Sequence, residues 1–79
     1  MKKLRGLFNV RGSERLKNSC YGNPAYLIYL KDSNGDNCKA RTASNSAAGY
    51  VFTPGMSIID CDYHFTANGS MIIDYIYIK

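Results

Sequence analysis

A chain of 79 residues is one domain, and folding at this length buries only about 60% of the surface that the unfolded chain exposes, so stability rests on a small core. A hydrophobic content of 46% excludes disorder, and no stretch approaches the roughly 20 apolar residues of a membrane-spanning helix. The net charge of +4 is uneven: residues 1–41 carry nine Lys/Arg against three acids, and residues 42–79 carry Lys79 alone against Asp60, Asp62 and Asp74.

The basic half is therefore the part suited to nucleic acid or an acidic protein. Seven Tyr, three Phe and no Trp favour β structure and a contact surface, because aromatic side chains suit pleated faces and Tyr is enriched at interfaces. Cys20, Cys38 and Cys61 are odd in number and lack a Cys-x-x-Cys spacing, which argues against a disulfide framework or a zinc site. After Met1-Lys2-Lys3 there is no apolar segment of signal-peptide length, so a reducing cytoplasm is the expected location.

From Lys3 to Arg11 the chain alternates. Leu4, Gly6, Phe8 and Val10 fall on one face, and Lys3, Arg5, Leu7, Asn9 and Arg11 on the other. This is a first strand with a basic outer face. Gly6 and Gly12 are expected bulges that let it bend, and Ser13 to Lys17 can extend it. Asn18 to Pro24 is a loop, with Gly22 permitting positive φ and Pro24 holding Asn23 extended.

Ala25 to Lys31 is the second strand, with Tyr26, Ile28 and Leu30 on one face and Leu27, Tyr29 and Lys31 on the other. Asn34-Gly35 marks a hairpin whose two central residues are both expected at φ > 0. The third strand, Asn37 to Thr42, turns Cys38, Ala40 and Thr42 inward and Lys39 and Arg41 outward. Ser44 to Tyr50 reads as a helical turn capped by Ser44 or Asn45 and ended by Gly49. Thr53-Pro54-Gly55 is a turn.

The fourth strand, Ser57 to Phe65, places Ile59, Cys61, Tyr63 and Phe65 inward and Ile58, Asp60, Asp62 and His64 outward. Ala67-Asn68-Gly69 is a second hairpin turn; Asn68-Gly69-Ser70 also fits the glycosylation pattern, which without secretion signifies only the turn. The last strand, Met71 to Ile78, is apolar on both faces apart from Asp74. Ile72, Ile76 and Ile78 on one of them would suit a homodimer or a protein partner.

The order β-β-β-α-β-β, with a long bent first strand and a short helix between strands three and four, matches a mainly β, five-stranded OB-like barrel; an SH3-like barrel is the alternative. The whole chain, 1–79, forms that one domain.

Four constellations bear on the chemistry the chain could carry. The outward stripe of Arg5, Arg11, Tyr29, Lys31, Lys39 and Arg41, with Tyr21 on the adjoining loop, supplies cations for phosphates and flat faces for bases, which is what single-stranded DNA or RNA requires. In an OB barrel the second and third strands form that face. Asp60, Asp62 and His64, at i, i+2 and i+4 of one strand, share a face roughly 6.5–7 Å apart and could meet a divalent ion, giving a third reading as a metal-dependent nuclease. Asp32-x-Asn34-x-Asp36 begins like a calcium loop, but Asn37 stands where that loop needs Gly and Ala43 where it needs Glu. Cys61 and His64 fall on opposite faces of a strand, so they form no nucleophile–base pair. No phosphate loop or nucleophile elbow is present, and no enzyme activity and no cofactor are expected.

The segment Leu16-x-Asn18-Ser19-x-x-Gly22-Asn23-Pro24-x-Tyr26, followed by Arg41-Thr42-Ala43-x-x-x-Ala47-x-Gly49-Tyr50, resembles a group of small uncharacterised proteins encoded by bacteriophages. Departures are the absence of a proline within Thr42-Ala43-Ser44-Asn45 and the reversed order of Gly49-Tyr50. The resemblance implies a phage context and a bacterial host cytoplasm, where small proteins bind nucleic acid or inhibit a host defence protein by protein–protein binding. It implies no activity.

Overall fold

The alternation along the first segment builds one long strand, β1 (Leu4–Leu16), in the computed structural model, which describes residues 3–78. Its first half pairs with β4 (Ile58–Phe65) and its second half with β2 (Ala25–Lys31), both antiparallel, with Asn9 the residue shared by the two ladders. A single strand can serve both neighbours because a register shift between Val10 and Gly12 bends it there. Gly6 causes no such shift in either ladder. It instead leaves room for rings: a Cβ there would lie 3.3 Å from Phe8 and 3.4 Å from Tyr63.

β3 (Asn37–Thr42) pairs with β2 on one side and, in parallel, with β5 (Met71–Tyr77) on the other. With β5 also paired to β4, the sheet closes in the order β1-β2-β3-β5-β4. The short α1 (Ala48–Val51) lies between β3 and β4, and the whole is a small OB-like barrel. Ile28, Leu30, Ile59, Cys61, Ile73 and Ile76 are fully buried inside it. Each such aliphatic side chain contributes about 1.5–3 kcal/mol by leaving water. Ala48 and Phe52 bring the α1 segment into this core, and Phe52 meets Tyr26 edge-on at 5.0 Å.

Several local expectations are corrected. The helix is shorter than 44–50 and has no side-chain cap at Ala47; the hydroxyl of Ser46 instead accepts the Ala48 N–H. Gly49 lies inside the helix rather than ending it. Its hydrogen faces the Pro24 carbonyl, where a Cβ would stand 1.8 Å from the oxygen. At Asn34-Gly35 only Gly35 has positive φ (86°). The turn begins one residue earlier, with Gly35 N–H donating to Asp32 and Asp32 N–H to Asp36.

Phe65 is 49% exposed rather than inward. The ladder between β4 and β5 slips between Asp62 and Tyr63, leaving Asp74 as an extra residue on β5. Beyond that bulge the alternation inverts: Ile76 is only 1% exposed and sits in the core, while Tyr75 faces out. Ile72, Ile76 and Ile78 therefore do not form one open face, and the dimer expectation loses its basis there.

Candidate nucleic-acid interface

Direct cross-strand pairing sets the outer face of the first hairpin. Tyr29 stands opposite Lys39, Leu27 opposite Arg41, and Lys31 opposite Asn37. Because Lys39 and Arg41 are two apart on β3, they project on the same side. Among the described residues Lys31, Lys39 and Arg41 form no ion pair.

Lys39 and Arg41 form one wall of an open cleft of about 880 Å³. Arg5, Leu7, Tyr63 and Phe65 line the other side, and the tips of the two hairpin turns, Asp32–Asn34 and Asn68–Ser70, also line it. Phe8, Tyr63 and Phe65 run from the core to this cleft as a chain of edge-on ring contacts, at 5.3 Å and then 5.9 Å. The chain fixes the exposed Phe65 ring without covering it. Arg41 also borders two neighbouring depressions. One, of about 510 Å³, includes Lys17 and Asn18, and the other, of about 450 Å³, includes His64 and Asp74.

The remaining residues of the expected stripe are placed differently. Arg5 is engaged: its guanidinium makes two hydrogen bonds to the Asp60 carboxylate, at 2.8 and 3.1 Å, and lies 3.8 Å over the Tyr77 ring. The Asp60 partnership raises its pKa further above the ordinary arginine value, so it stays charged throughout. Arg11 donates to the Asn37 side chain at 2.6 Å, and borders a small separate depression with Tyr29. The Tyr29 ring lies against Gly12 of β1, and its hydroxyl titrates above the ordinary tyrosine range, because partial burial and then the Glu14 carboxylate disfavour the phenolate. Lys31 lays its stem against the Gly35 turn. Tyr21 stands at the tip of its loop, 69% exposed and away from the cleft.

Two residues that sequence reasoning did not assign to the site, Tyr63 and Phe65, supply the cleft's aromatic surface. Strict alternation places both inward, and only their position at the end of β4, beside the second turn, hints that they reach the rim. Lys17 was likewise not among the candidates.

Asp60, Asp62 and His64 do share the outer face of β4, but each has a different partner. Asp60 takes Arg5, Asp62 accepts the Tyr77 hydroxyl at 2.8 Å, and His64 Nδ1 meets Asp74 at 2.6 Å. Among the described residues no group of three His, Cys, Asp or Glu is arranged to hold a metal ion. No family model matches the chain, and neither the curated proteins nor the solved structures contain a match to it.

Proposed function

We propose that the protein binds single-stranded nucleic acid in the cleft between the two hairpin turns. The observation that carries this reading is the pairing of unneutralised Lys39 and Arg41 on one wall with the exposed Phe65 ring and the half-buried Tyr63 ring on the other. Cations meet the phosphates while a base stacks on Phe65, an arrangement suited to strands of any sequence because every base offers a flat face. Arg41 is the central contact, since it borders the cleft and both adjoining depressions. Lys17 continues the cationic track beyond it. In this reading the protein acts without a cofactor, in the cytoplasm of a bacterial host, as the phage resemblance implies.

The test is a titration of a labelled 15-nucleotide DNA or RNA strand by fluorescence anisotropy. Phe65→Ala is expected to weaken binding by about 1–3 kcal/mol, the worth of one stacked base. Tyr21→Ala should leave it unchanged. Equal binding by wild type and Phe65→Ala contradicts the assignment.

A second reading, a phage-encoded inhibitor of a host defence protein, has its own support. Leu7 and Ile58, both more than half exposed, and half-exposed Tyr75 lie on the outer face of β1, β4 and β5, where the Arg5–Tyr77 stack adds the residue types that anchor protein interfaces. Capture of one host protein that Tyr75→Ala abolishes, with no oligonucleotide binding, would favour it.

A further inference from the structure

The bulge on β5 does more than correct the register. It adds one residue, Asp74, to the outer side of the strand, and Asp74 Oδ2 lies 2.6 Å from Nδ1 of His64. Bulges re-aim side chains in this way and are frequent beside active sites. Both side chains are mostly covered, at 18% and 16% exposure. With Nδ1 taken, Nε2 is the free nitrogen of the ring. No fully buried side-chain nitrogen or oxygen among the described residues lacks a partner, and Nε2 has none, so Nε2 is not fully covered. His64 and Asp74 line the depression of about 450 Å³ that Arg41 joins to the main cleft. The arrangement is an imidazole with one nitrogen held by a carboxylate and the other without a protein partner, in a depression that the Arg41 side chain also lines.

We propose that His64 is the general base of a metal-independent site that cleaves single-stranded RNA, with Asp74 as its positioning residue and Arg41 as the phosphate contact. The proposal rests on the nucleic-acid reading above, because the cleft brings the strand to Arg41. His64 Nε2 removes the proton of a ribose 2′-hydroxyl. The 2′-oxygen attacks the adjacent phosphorus, and the bond from phosphorus to the 5′-oxygen breaks. Water gives the departing oxygen its proton, and the hydroxide left takes the proton from His64. The products are a 2′,3′-cyclic phosphate and a 5′-hydroxyl, and no oxidant, reductant or metal is consumed. Asp74 fixes the tautomer that leaves Nε2 unprotonated and stabilises the imidazolium that forms. Arg41 offsets charge on the phosphate oxygens in the transition state. The charged groups that line the depression with the ring are Asp74 on β5 and Arg41 on β3.

The experiment uses the full chain, excess EDTA and a 5′-labelled single-stranded RNA, with binding measured separately on the 2′-O-methyl form of the same strand. Wild type is expected to cut the RNA to fragments ending in cyclic phosphate, and to stop at any single position made 2′-deoxy. His64→Gln should bind the 2′-O-methyl strand as wild type does, which also reports its folding, yet cut at least about 100-fold more slowly, the lower end of general-base contributions. Asp74→Asn should lower kcat while KM and binding of the 2′-O-methyl strand stay as in wild type, because the ring loses the carboxylate that orients it; a merely structural contact would weaken binding and cutting together. Binding without EDTA-resistant cutting overturns the proposal and spares the binding reading. Equal cutting by wild type and His64→Gln also overturns it. Absence of binding to the 2′-O-methyl strand overturns both.

Discussion

Gly49 is held to its identity by space rather than by backbone conformation. Its α-carbon packs on the Pro24 carbonyl so closely that a methyl group would stand 1.8 Å from the oxygen. One residue thus ties α1 to the loop before β2. Gly49→Ala is expected to destabilise the fold by at least about 3 kcal/mol, the upper range of overpacking, read as a lower urea midpoint. Cys61 illustrates the opposite case, a residue whose place was legible from alternation alone. Fully buried, it has its thiol pushed up from 9.0 to about 12, chiefly by burial and then by Asp60. A group raised in the folded state contributes its full stability below the unfolded value and loses it as pH rises toward the folded value. Stability should therefore fall between about pH 9 and 12, and Cys61→Ala should flatten that part of the urea-midpoint curve. Cys20, exposed on its loop, should react with iodoacetamide in the native protein at pH 8 while Cys61 does not.

At the scale of elements, one turn is used three times. Residues 19–23, 32–36 and 66–70 each join their first N–H to the carbonyl of the fifth residue, and the fourth N–H to the carbonyl of the first. The fourth residue is glycine with φ of 80°, 86° and 86°. The first is Ser19, Asp32 or Thr66, whose side-chain oxygen accepts N–H groups within its own turn. The signature is a small hydroxyl or Asp residue three places before glycine. The Asn34-Gly35 pair identified the hairpin but not this turn, because the dipeptide alone does not report the side chain two residues earlier. Ser19 also donates to the Ser44 carbonyl at 2.8 Å, which the Asn23 side chain meets as well at 2.9 Å. Ser19→Ala should cost about 1–2 kcal/mol and loosen the loop, measured as faster amide exchange at Tyr21 and Asn23. The strands themselves were legible because alternation survives along Leu4–Val10, Ala25–Lys31 and Asn37–Thr42. It misled on β5, where the Asp74 bulge inverts the faces: an apolar run carries no mark of the residue at which its period slips.

For the molecule as a whole, the closed β1-β2-β3-β5-β4 order turns a charge imbalance along the chain into two unlike faces. The β2–β3 side presents Lys31, Lys39 and Arg41 without ion-pair partners among the described residues. The β4–β5 side holds its acids within the Arg5–Asp60, Tyr77–Asp62 and His64–Asp74 pairs. The two central cations of the site were readable from sequence because they alternate outward on a hairpin strand. Its aromatic half was not, because Phe65 is the last residue of β4, where strict alternation turns it inward but the strand end leaves it exposed. The most direct measurement is the slope of log affinity against log salt for a single-stranded oligonucleotide, in wild type and in Lys39→Ala/Arg41→Ala. Each phosphate contact adds about 0.7 to that slope for single strands. The double variant should bind more weakly and lose about 1.4 units of slope. Identical slopes, or wild-type affinity indifferent to salt, would contradict the nucleic-acid reading.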